Sequence, residues 1–247
     1  LLSFFIKRYL KSIYKGTILG YFWFVLNPLI TMVIFLLIFS LIIRIKVEHY
    51  PIFLLIGILS WHFLQVALND SVNSLVEHAQ IIKGAPIPIV IIPTSIVLAR
   101  AINFALRLLI LLPFMIKYHV SLRLSMVFLP LIILLQTVFI LGIALLISLF
   151  NVFLRDIRIL VNFVLIIWFY GSAVFYPVEM VPKRFLKIFL LNPMANIIHW
   201  YRLVLLGYSP LPIVYTWITI GLTGILLLVC LLYTSDAADE GLGVDLG

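Results

Sequence analysis

The side chains with the greatest capacity for chemistry in this sequence are three polar residues inside an otherwise apolar stretch. Arg100, Asn103 and Arg107 are separated by three and four residues, a spacing that places all three on one face of a helix. An arginine inside a bilayer is costly, so this face should be buried in a helical bundle, against a partner or along a hydrated path. Alternatively, Arg100 lies at the interface and extends toward water, which leaves Arg107 alone in the membrane.

The motifs of a hydrolytic enzyme are absent from the sequence. It has no glycine-rich Walker loop for nucleotide phosphates and no pair of histidines at metal-binding spacing. His62 lies within an apolar stretch, where a packed or pore-lining histidine is commoner than a ligand. We therefore predict that this chain has no catalytic residue, no metal site and no cofactor of its own.

The composition indicates that membrane helices position the polar residues. Of the 247 residues, 65% are hydrophobic and 11% are charged, and the mean hydropathy is +1.27. A bilayer core takes roughly 20 apolar residues per helical crossing, so such stretches fill most of the chain. The net charge of +8 comes from short clusters of Lys and Arg between apolar runs, a pattern that suits membrane lipid headgroups and not nucleic acid.

The apolar pattern predicts an all-α integral membrane protein with six transmembrane helices. The predicted spans are about residues 19–43, 52–73, 96–116, 126–150, 159–176 and 211–228. Residues 1–15 have the pattern of an interfacial amphipathic helix, although a soluble surface helix would show the same pattern. Residues 178–206 are too interrupted to span, and we expect two short re-entrant helices there that form an extracytoplasmic gate.

The carboxyl end departs from this pattern. Residues 230–247 read CLLYTSDAADEGLGVDLG and resemble a translated sequencing adapter. We therefore expect a single native transmembrane domain over residues 1–229, followed by a non-native tail. A genuine acidic tail is the alternative.

Aromatic side chains near the ends of the predicted spans have two possible roles. Most are expected to form belts at the membrane interfaces. A subset turned inward would offer flat apolar faces on which sugar rings can slide without tight capture. The candidates for such a substrate conduit are Trp23, Trp168, Tyr170 and Tyr176.

Three separated segments carry a family resemblance. The first contains Tyr14, Gly16, Thr17, Leu19, Gly20, Trp23, Asn27 and Pro28; the second contains Arg155, Asp156, Tyr176 and Pro177; the third contains Leu191, Asn192, Pro193, Met194, Tyr201, Arg202 and Gly207. In order and separation they resemble the permeases of type 2 ABC exporters (ABC-2 type) of the O-antigen and teichoic acid class. The resemblance covers about residues 1–229, although Arg107 and the tail depart from the family pattern.

The resemblance implies a multi-pass protein of the bacterial cytoplasmic (inner) membrane with its amino terminus in the cytoplasm. The Lys and Arg residues divide almost equally between the two sides and do not decide the orientation by themselves. The resemblance further implies a homodimer, two separate ATP-binding subunits that hold ATP and Mg, and a lipid-linked polysaccharide as substrate. The chain would then be a permease and not an enzyme.

The resemblance also implies a coupling helix in the cytoplasmic loop after the second span, here about Glu77 to Ala85. An ordinary connector is the alternative, since Gly84 and Pro86 would end any helix there. A second charged turn lies between the fourth and fifth spans, either as another contact with the ATPase or as an anchor of topology. The candidate coupling residues are Glu77, His78, Gln80, Lys83, Arg155, Asp156 and Arg158.

Two other functions stay open at this point. A teichoic acid or other polyol phosphate exporter should have an arginine-lined conduit, whereas a neutral glycan favours an aromatic-lined one. A membrane-embedded glycosyltransferase or ligase should show acidic residues or metal ligands at a span end. Asp70 and Glu77 are poor candidates for that chemistry, because no neighbouring residue suggests metal or sugar-nucleotide binding.

Overall fold

The computed structural model describes residues 1–13, 22–44, 47–84 and 88–239. Every regular element within these ranges is a helix and none is a strand, so the predicted all-α class is confirmed. Five residues of the first family segment lie outside the described residues, namely Tyr14, Gly16, Thr17, Leu19 and Gly20. Ala85 and residues 240–247 also lie outside them.

The first third of the chain forms three helices. Helix α1, Leu2–Ile13, is amphipathic, with Phe5 buried and its Lys and Arg side chains exposed. Helix α2, Phe22–Leu36, continues as a π-helical stretch over Leu37–Ile42. Helix α3, Tyr50–Val72, begins with a proline in its first turn, where the missing N–H costs no hydrogen bond.

Four shorter helices follow α3. They are α4 (Ser74–Glu77), α5 (Ala79–Gly84), α6 (Ile91–Leu108) and α7 (Leu111–Lys117). The predicted third span was continuous over residues 96–116, whereas the structure interrupts it by a turn between α6 and α7. Pro113 explains the interruption, because its ring cannot donate to the carbonyl of residue 109 and clashes with that carbonyl.

The remaining helices are α8 (Leu129–Phe153), α9 (Ile157–Tyr170), α10 (Lys183–Leu190), α11 (Pro193–Leu206) and α12 (Ile213–Asp239), with short 3₁₀ turns over Leu124–Phe128 and Val178–Met180. The predicted fifth span continued to Tyr176, but α9 ends at Tyr170. Residues 171–176 form a buried turn instead, which we name the outer turn. This conformation is stabilised because side chains from α3 and from residues 192–202 bind the carbonyls of the turn.

Helix α3 lies at the centre of the molecule. It packs against α2, α6, α8, α9 and α11, and all its residues from Ile52 to Ser60 are buried. Its apolar side chains therefore form the largest single part of the core, together with Phe104 of α6, Phe139 of α8 and Tyr201 of α11. Helix α12 packs against α8, where Gly142 permits close approach to Leu226.

Four helical stretches of the described residues are long and apolar enough to cross a membrane: Phe22–Ser40, Tyr50–Val72, Ile91–Lys117 and Leu124–Phe153. Two shorter apolar helices, Ile157–Tyr170 and Ile213–Val229, follow them. The 14 residues of α9 extend only about 21 Å at 1.5 Å per residue. The count of six spans and the re-entrant placement of α10 and α11 therefore stay predictions.

Candidate transport site

The outer turn is held mainly by the buried guanidinium of Arg202, which is 1% exposed. Its Nη1 donates to the carbonyl of Ala173 at 2.7 Å and its Nη2 donates to the carbonyl of Val174 at 2.7 Å. The guanidinium also lies 3.4 Å from the centre of the Phe53 ring, and the Tyr50 hydroxyl donates to the carbonyl of Phe175 at 2.8 Å. Arg202 thus joins α11, α3 and the outer turn.

Gly57 allows α3 to approach this turn closely. A Cβ atom at Gly57 would lie 2.5 Å from the carbonyl oxygen of Val174 and 2.8 Å from Nη2 of Arg202. Neither group can retreat easily, because the two are hydrogen-bonded to each other. The close contact therefore requires glycine at this position.

Asn192 joins the start of α11 to the end of α9. Its Oδ1 accepts from the backbone N–H of Met194 at 3.0 Å, which is the standard cap of a helix amino terminus. The same oxygen accepts from Nε1 of Trp168 at 2.8 Å, and the Asn192 amide donates to the carbonyl of Gly171 at 2.8 Å. One asparagine therefore binds α11, α9 and the outer turn.

The structure brings three of the four conduit candidates together. Trp168 is half-buried, and its ring lies edge-on to Trp61 and Phe139. Tyr170 is 59% exposed, and its carbonyl accepts from the hydroxyl of Tyr176 at 2.8 Å. Trp168 is thus engaged in packing and hydrogen bonding, whereas Tyr170 presents its ring to the surroundings.

Trp23 lies apart from the other three. The outer aromatic residues contact Phe35, whose ring stacks on Phe169 with centroids 5.8 Å apart. Phe35 follows Trp23 on α2 by twelve residues, so the two lie about 18 Å apart along the helix axis. Trp23 is therefore not part of the same cluster.

Sequence reasoning missed the phenylalanines of this outer cluster. Phe39 stacks on Phe175 with centroids 4.4 Å apart, and both contact Phe35. Phe35 and Phe39 are four residues apart and share a helical face, which could have indicated a common neighbour. The neighbour itself lies in the outer turn, which the sequence predicted to be helix.

The polar face of α6 packs against α3 and α1. Arg100 forms an ion pair with Asp70, with Nε and Nη2 at 2.7 and 2.6 Å from Oδ2. The Tyr9 hydroxyl of α1 lies 3.5 Å from Nη2 of Arg100. Burial, together with the neighbouring Asp70 carboxylate, raises the pKa of the Tyr9 hydroxyl, so the phenol stays protonated at neutral pH.

The part of this face that contains Asn103 and Arg107 is more deeply buried than Arg100. Arg107 donates through Nη1 to Nδ1 of His62 at 2.8 Å, and its guanidinium lies 5.0 Å from the centre of the Phe24 ring. Asn103 is also buried, between Arg100 and Arg107 on the same side of α6. Tyr9, His62 and Asp70 are the partners that the spacing of the sequence did not identify.

The candidate coupling residues lie at one end of the bundle. The structure divides the predicted coupling helix at His78, between α4 and α5; the Nδ1 of His78 donates to the carbonyl of Ser74 at 2.9 Å. Glu77 and Gln80 are exposed, and the side chain of Lys83 lies outside what the structure describes. Arg155, Asp156 and Arg158 are exposed in the turn between α8 and α9 and at the start of α9.

A direct contact joins these two charged segments. The Asn151 amide near the end of α8 donates to Oδ1 of Asn73 at 3.2 Å, and α4 packs against α8. Elsewhere, no group of three or more His, Cys, Asp or Glu side chains within the described ranges could hold a metal ion. The site thus consists of a charged end, a buried polar face and an outer aromatic end.

Comparison with known proteins identifies the family. The sequence profile of the family described as ABC-2 type transporter matches residues 1–206. The chain belongs to the ABC-2 type transporter family. It is therefore a membrane subunit of a transporter and not a catalytic enzyme, and the family resemblance of the sequence is confirmed.

Relatives of this ABC-2 transporter subunit cover most of its length. Two O-antigen export system permease proteins RfbA of Klebsiella pneumoniae are 33% identical over 89% of this chain and 85% of their own, and 31% identical over 83% and 82%. The protein of the same name from Myxococcus xanthus is 26% identical over 81% of this chain and 77% of its own.

In this ABC-2 transporter subunit, residues from two of the family segments meet in space. Asn192 and Arg202 of the third segment both bind carbonyls of the outer turn, directly before Tyr176 and Pro177 of the second segment. Tyr201 donates to Oε1 of Gln136 at 2.9 Å, and the Gln136 amide donates to the carbonyl of Ser60 at 2.9 Å. The third segment therefore maintains the outer end of the bundle.

Proposed function

We propose that this chain is the permease subunit of an ABC transporter that exports a lipid-linked polysaccharide of the O-antigen type across the cytoplasmic membrane of a bacterium. The observation that carries this proposal is similarity to O-antigen export permeases along nearly the whole chain, at 33% identity over 89% of it. A match of this length includes the charged end, the polar face and the outer turn together. It therefore supports a shared transport role and not just a shared helical pattern.

The assembly that we propose contains two copies of this chain and two separate ATP-binding subunits. This sequence of 247 residues contains no Walker loop, and we propose that a separate subunit holds the nucleotide and its Mg. The amino terminus and the charged end would face the cytoplasm, and the outer turn with α10 and α11 would face the opposite side. This orientation places α1 on the cytoplasmic surface beside the bundle.

Coupling to ATP hydrolysis would use the two segments at the charged end. The exposed Glu77 and Gln80 offer a surface to the partner, and the Asn73–Asn151 hydrogen bond would transmit movement of α4 to α8. Helix α3 runs without interruption from this end to the outer turn. There the Phe53 carbonyl accepts from Arg202, and Gly57 lies against the carbonyl of Val174. A displacement at the charged end can therefore reach the gate through packed groups.

The outer aromatic residues favour a saccharide over a phosphodiester polymer. A conduit for polyol phosphates should present free cationic groups, whereas Arg100, Arg107 and Arg202 are all engaged by protein side chains or carbonyls. Tyr170 instead presents an exposed ring beside the half-buried Trp168. Such faces would hold sugar rings weakly and allow the polymer to move.

Gene deletion in the native bacterium tests the proposal. If the chain exports the polymer, its deletion should remove the polymer from the cell surface and accumulate lipid-linked polymer on the cytoplasmic side, and the gene in trans should restore export. Loss of a glycosyltransferase that builds the polymer would instead leave no full-length polymer in either place, and loss of a ligase would accumulate lipid-linked polymer on the outer face of the membrane. Unchanged surface polymer in the deletion strain would contradict the exporter function altogether.

A further inference from the structure

A groove of about 800 Å³ separates α2 from α6 on the outside of the bundle. The groove forms because α2 packs against α3, whereas α6 packs against α1, α3 and α8. The walls come from Phe24 and Leu29 on one side and from Leu106 and Ile110 on the other, and Leu10 of α1 lies at one end.

The groove has the polarity and the length of one acyl chain. Among the described residues that line it, Asn103 is the one polar side chain and all the others are apolar. From Ile102 to Phe114 the wall extends twelve residues, or about 18 Å at 1.5 Å per residue. One leaflet of a hydrocarbon core about 30 Å thick measures about 15 Å. An acyl chain that enters the groove at the level of α1 would therefore end near Phe114.

The charge of Arg107 is directed away from this groove. The Phe24 ring, which forms part of the groove wall, lies over the guanidinium with its centre 5.0 Å away, while Nη1 donates to His62 on the other side. Hydrocarbon in the groove would therefore contact an aromatic ring and not a cation. This arrangement suits the tail of a lipid and not its headgroup.

The headgroup side is defined by α1. Its charged side chains are all basic, and Lys7 and Lys11 are exposed and four residues apart, so they lie side by side on the helix. Lys7 is also one turn from Leu10, which lines the groove. The position of α1 is fixed relative to the groove, since Tyr9 contacts the Arg100–Asp70 ion pair directly.

We propose that this groove binds one acyl chain of an anionic phospholipid from the leaflet on the α1 side, with the phosphate at Lys7 and Lys11. The lipid fills the space between α2 and α6 and links the interfacial helix to the first spanning helix. The site goes beyond the proposed export function, because it depends on the membrane placement of the chain and not on the identity of the polymer.

Photolabelling of the complete exporter, with its ATP-binding subunits in lipid nanodiscs, tests this site. The probes are phosphatidylglycerol and phosphatidylcholine that carry the same diazirine in the middle of one acyl chain. We expect phosphatidylglycerol to label residues of α2 and α6 around the groove at least fivefold more than the exposed Ile225 of α12. Phosphatidylcholine should show a weaker preference, because each lysine near the surface contributes about fivefold to the binding of an anionic headgroup.

Matched variants distinguish the binding site of the acyl chain from that of the headgroup. Leu106→Trp and Ile102→Trp fill the groove and should each reduce labelling several-fold. Leu112→Trp should not, since Leu112 is similarly exposed but does not line the groove (47% against 52% for Leu106). The double variant Lys7→Gln/Lys11→Gln should keep labelling but lose the preference for phosphatidylglycerol, whereas Arg8→Gln, on the side of α1 opposite the groove-lining Leu10, should retain it.

Two results would overturn the site. Equal labelling of the groove and of Ile225 means that the lipid is only annular, and unchanged labelling in both Trp variants means that the groove is not the binding place. Surface polymer measured in the same strains keeps the two proposals apart. Normal export without groove labelling would refute the lipid site alone, whereas groove labelling without any export role would refute the proposed function alone.

Discussion

Among the individual residues, Arg202 has the clearest structural role, because its planar guanidinium binds two adjacent carbonyls of the outer turn. An ammonium group cannot reproduce this fork, so Arg202→Lys should lose at least one bond and Arg202→Met both. Each buried carbonyl left without a donor costs about 1–3 kcal/mol. The unfolding temperature in detergent should be highest for the wild type, lower for Arg202→Lys and lowest for Arg202→Met. Amide exchange over residues 171–176 should increase in the same order.

The exposed Arg184 of α10 provides the control for this prediction. Arg184→Met removes the same charge at the surface, where the change in stability should stay within about 0.5 kcal/mol. If Arg202→Met unfolds at the same temperature as Arg184→Met, the outer turn does not depend on the guanidinium.

Gly57 is the second residue whose role can be tested singly. Gly57→Ala introduces a Cβ atom 2.5 Å from the Val174 carbonyl oxygen, which should destabilise the protein by about 1–3 kcal/mol despite the better helix propensity of alanine. Gly221→Ala in α12 is the matched control, since its Cβ would meet nothing within 4 Å. Gly57→Ala should therefore unfold at a lower temperature than Gly221→Ala. Equal unfolding temperatures of the two variants would exclude the close contact.

At the scale of the elements, α4 and α5 form the segment that we expect to contact the ATP-binding subunit. Cysteines placed at the exposed Glu77 and Gln80 should crosslink to that subunit in the assembled exporter. A cysteine at Leu75, which is buried, should not react, and one at the exposed Met180 should react only with a reagent added outside the cell. Labelling of positions 77 and 80 from outside would refute both the docking and the orientation.

The turn between α8 and α9 gives a second test of coupling. Asp156 is exposed and makes no side-chain capping bond to α9, so Asp156→Asn should change stability by less than about 1 kcal/mol. If the turn contacts the ATPase, the variant should still reduce ATP turnover stimulated by the polymer. Turnover equal to that of the wild type would favour the alternative role of this turn as an anchor of topology.

Comparison of the elements with their prediction shows which information the sequence contains locally. Apolar runs predict the long helices, and the spacing of Arg100, Asn103 and Arg107 predicts their shared face, because both patterns depend on neighbours within a few turns. The end of α9 was missed because the carbonyls of the outer turn that follows it are bound by Asn192 and Arg202, more than twenty residues later in the chain. Contacts of this range leave no periodic signal in one sequence.

At the scale of the whole molecule, the burial of α3 constrains where a polymer can pass. Residues Ile52 to Ser60 are buried on every side of this central helix, and the larger grooves among the described residues lie on the periphery, between α2 and α6 and beside α8, α11 and α12. A hydrated saccharide therefore has no path through the middle of one bundle. Two copies that separate along a shared surface could provide the path, which is the arrangement we propose.

The exposed ring of Tyr170 gives the sharpest test of that path. Replacement of Trp168 by alanine would also remove the hydrogen bond to Asn192 and disturb the cap of α11, so a loss of export would have two explanations. Tyr170 is 59% exposed, and its bond to Tyr176 uses the backbone carbonyl, which any residue retains. Tyr170→Ala should therefore preserve insertion and dimerisation, and it should lower the unfolding temperature only slightly through the loss of edge-on contacts with Phe169 and Phe175.

The same variant should reduce the amount of surface polymer about two- to tenfold if sugar rings pass over this face, since one aromatic contact contributes about 0.5–1.5 kcal/mol. Tyr170→Phe keeps the ring and should export nearly as well as the wild type, whereas a loss in both variants would assign the effect to the hydroxyl. The control is Phe163→Ala, an equally exposed aromatic residue two turns earlier on α9. Normal export by Tyr170→Ala would mean that the outer aromatic residues only contact lipid, and equal loss in Phe163→Ala would mean that the effect is not specific to the ring of Tyr170.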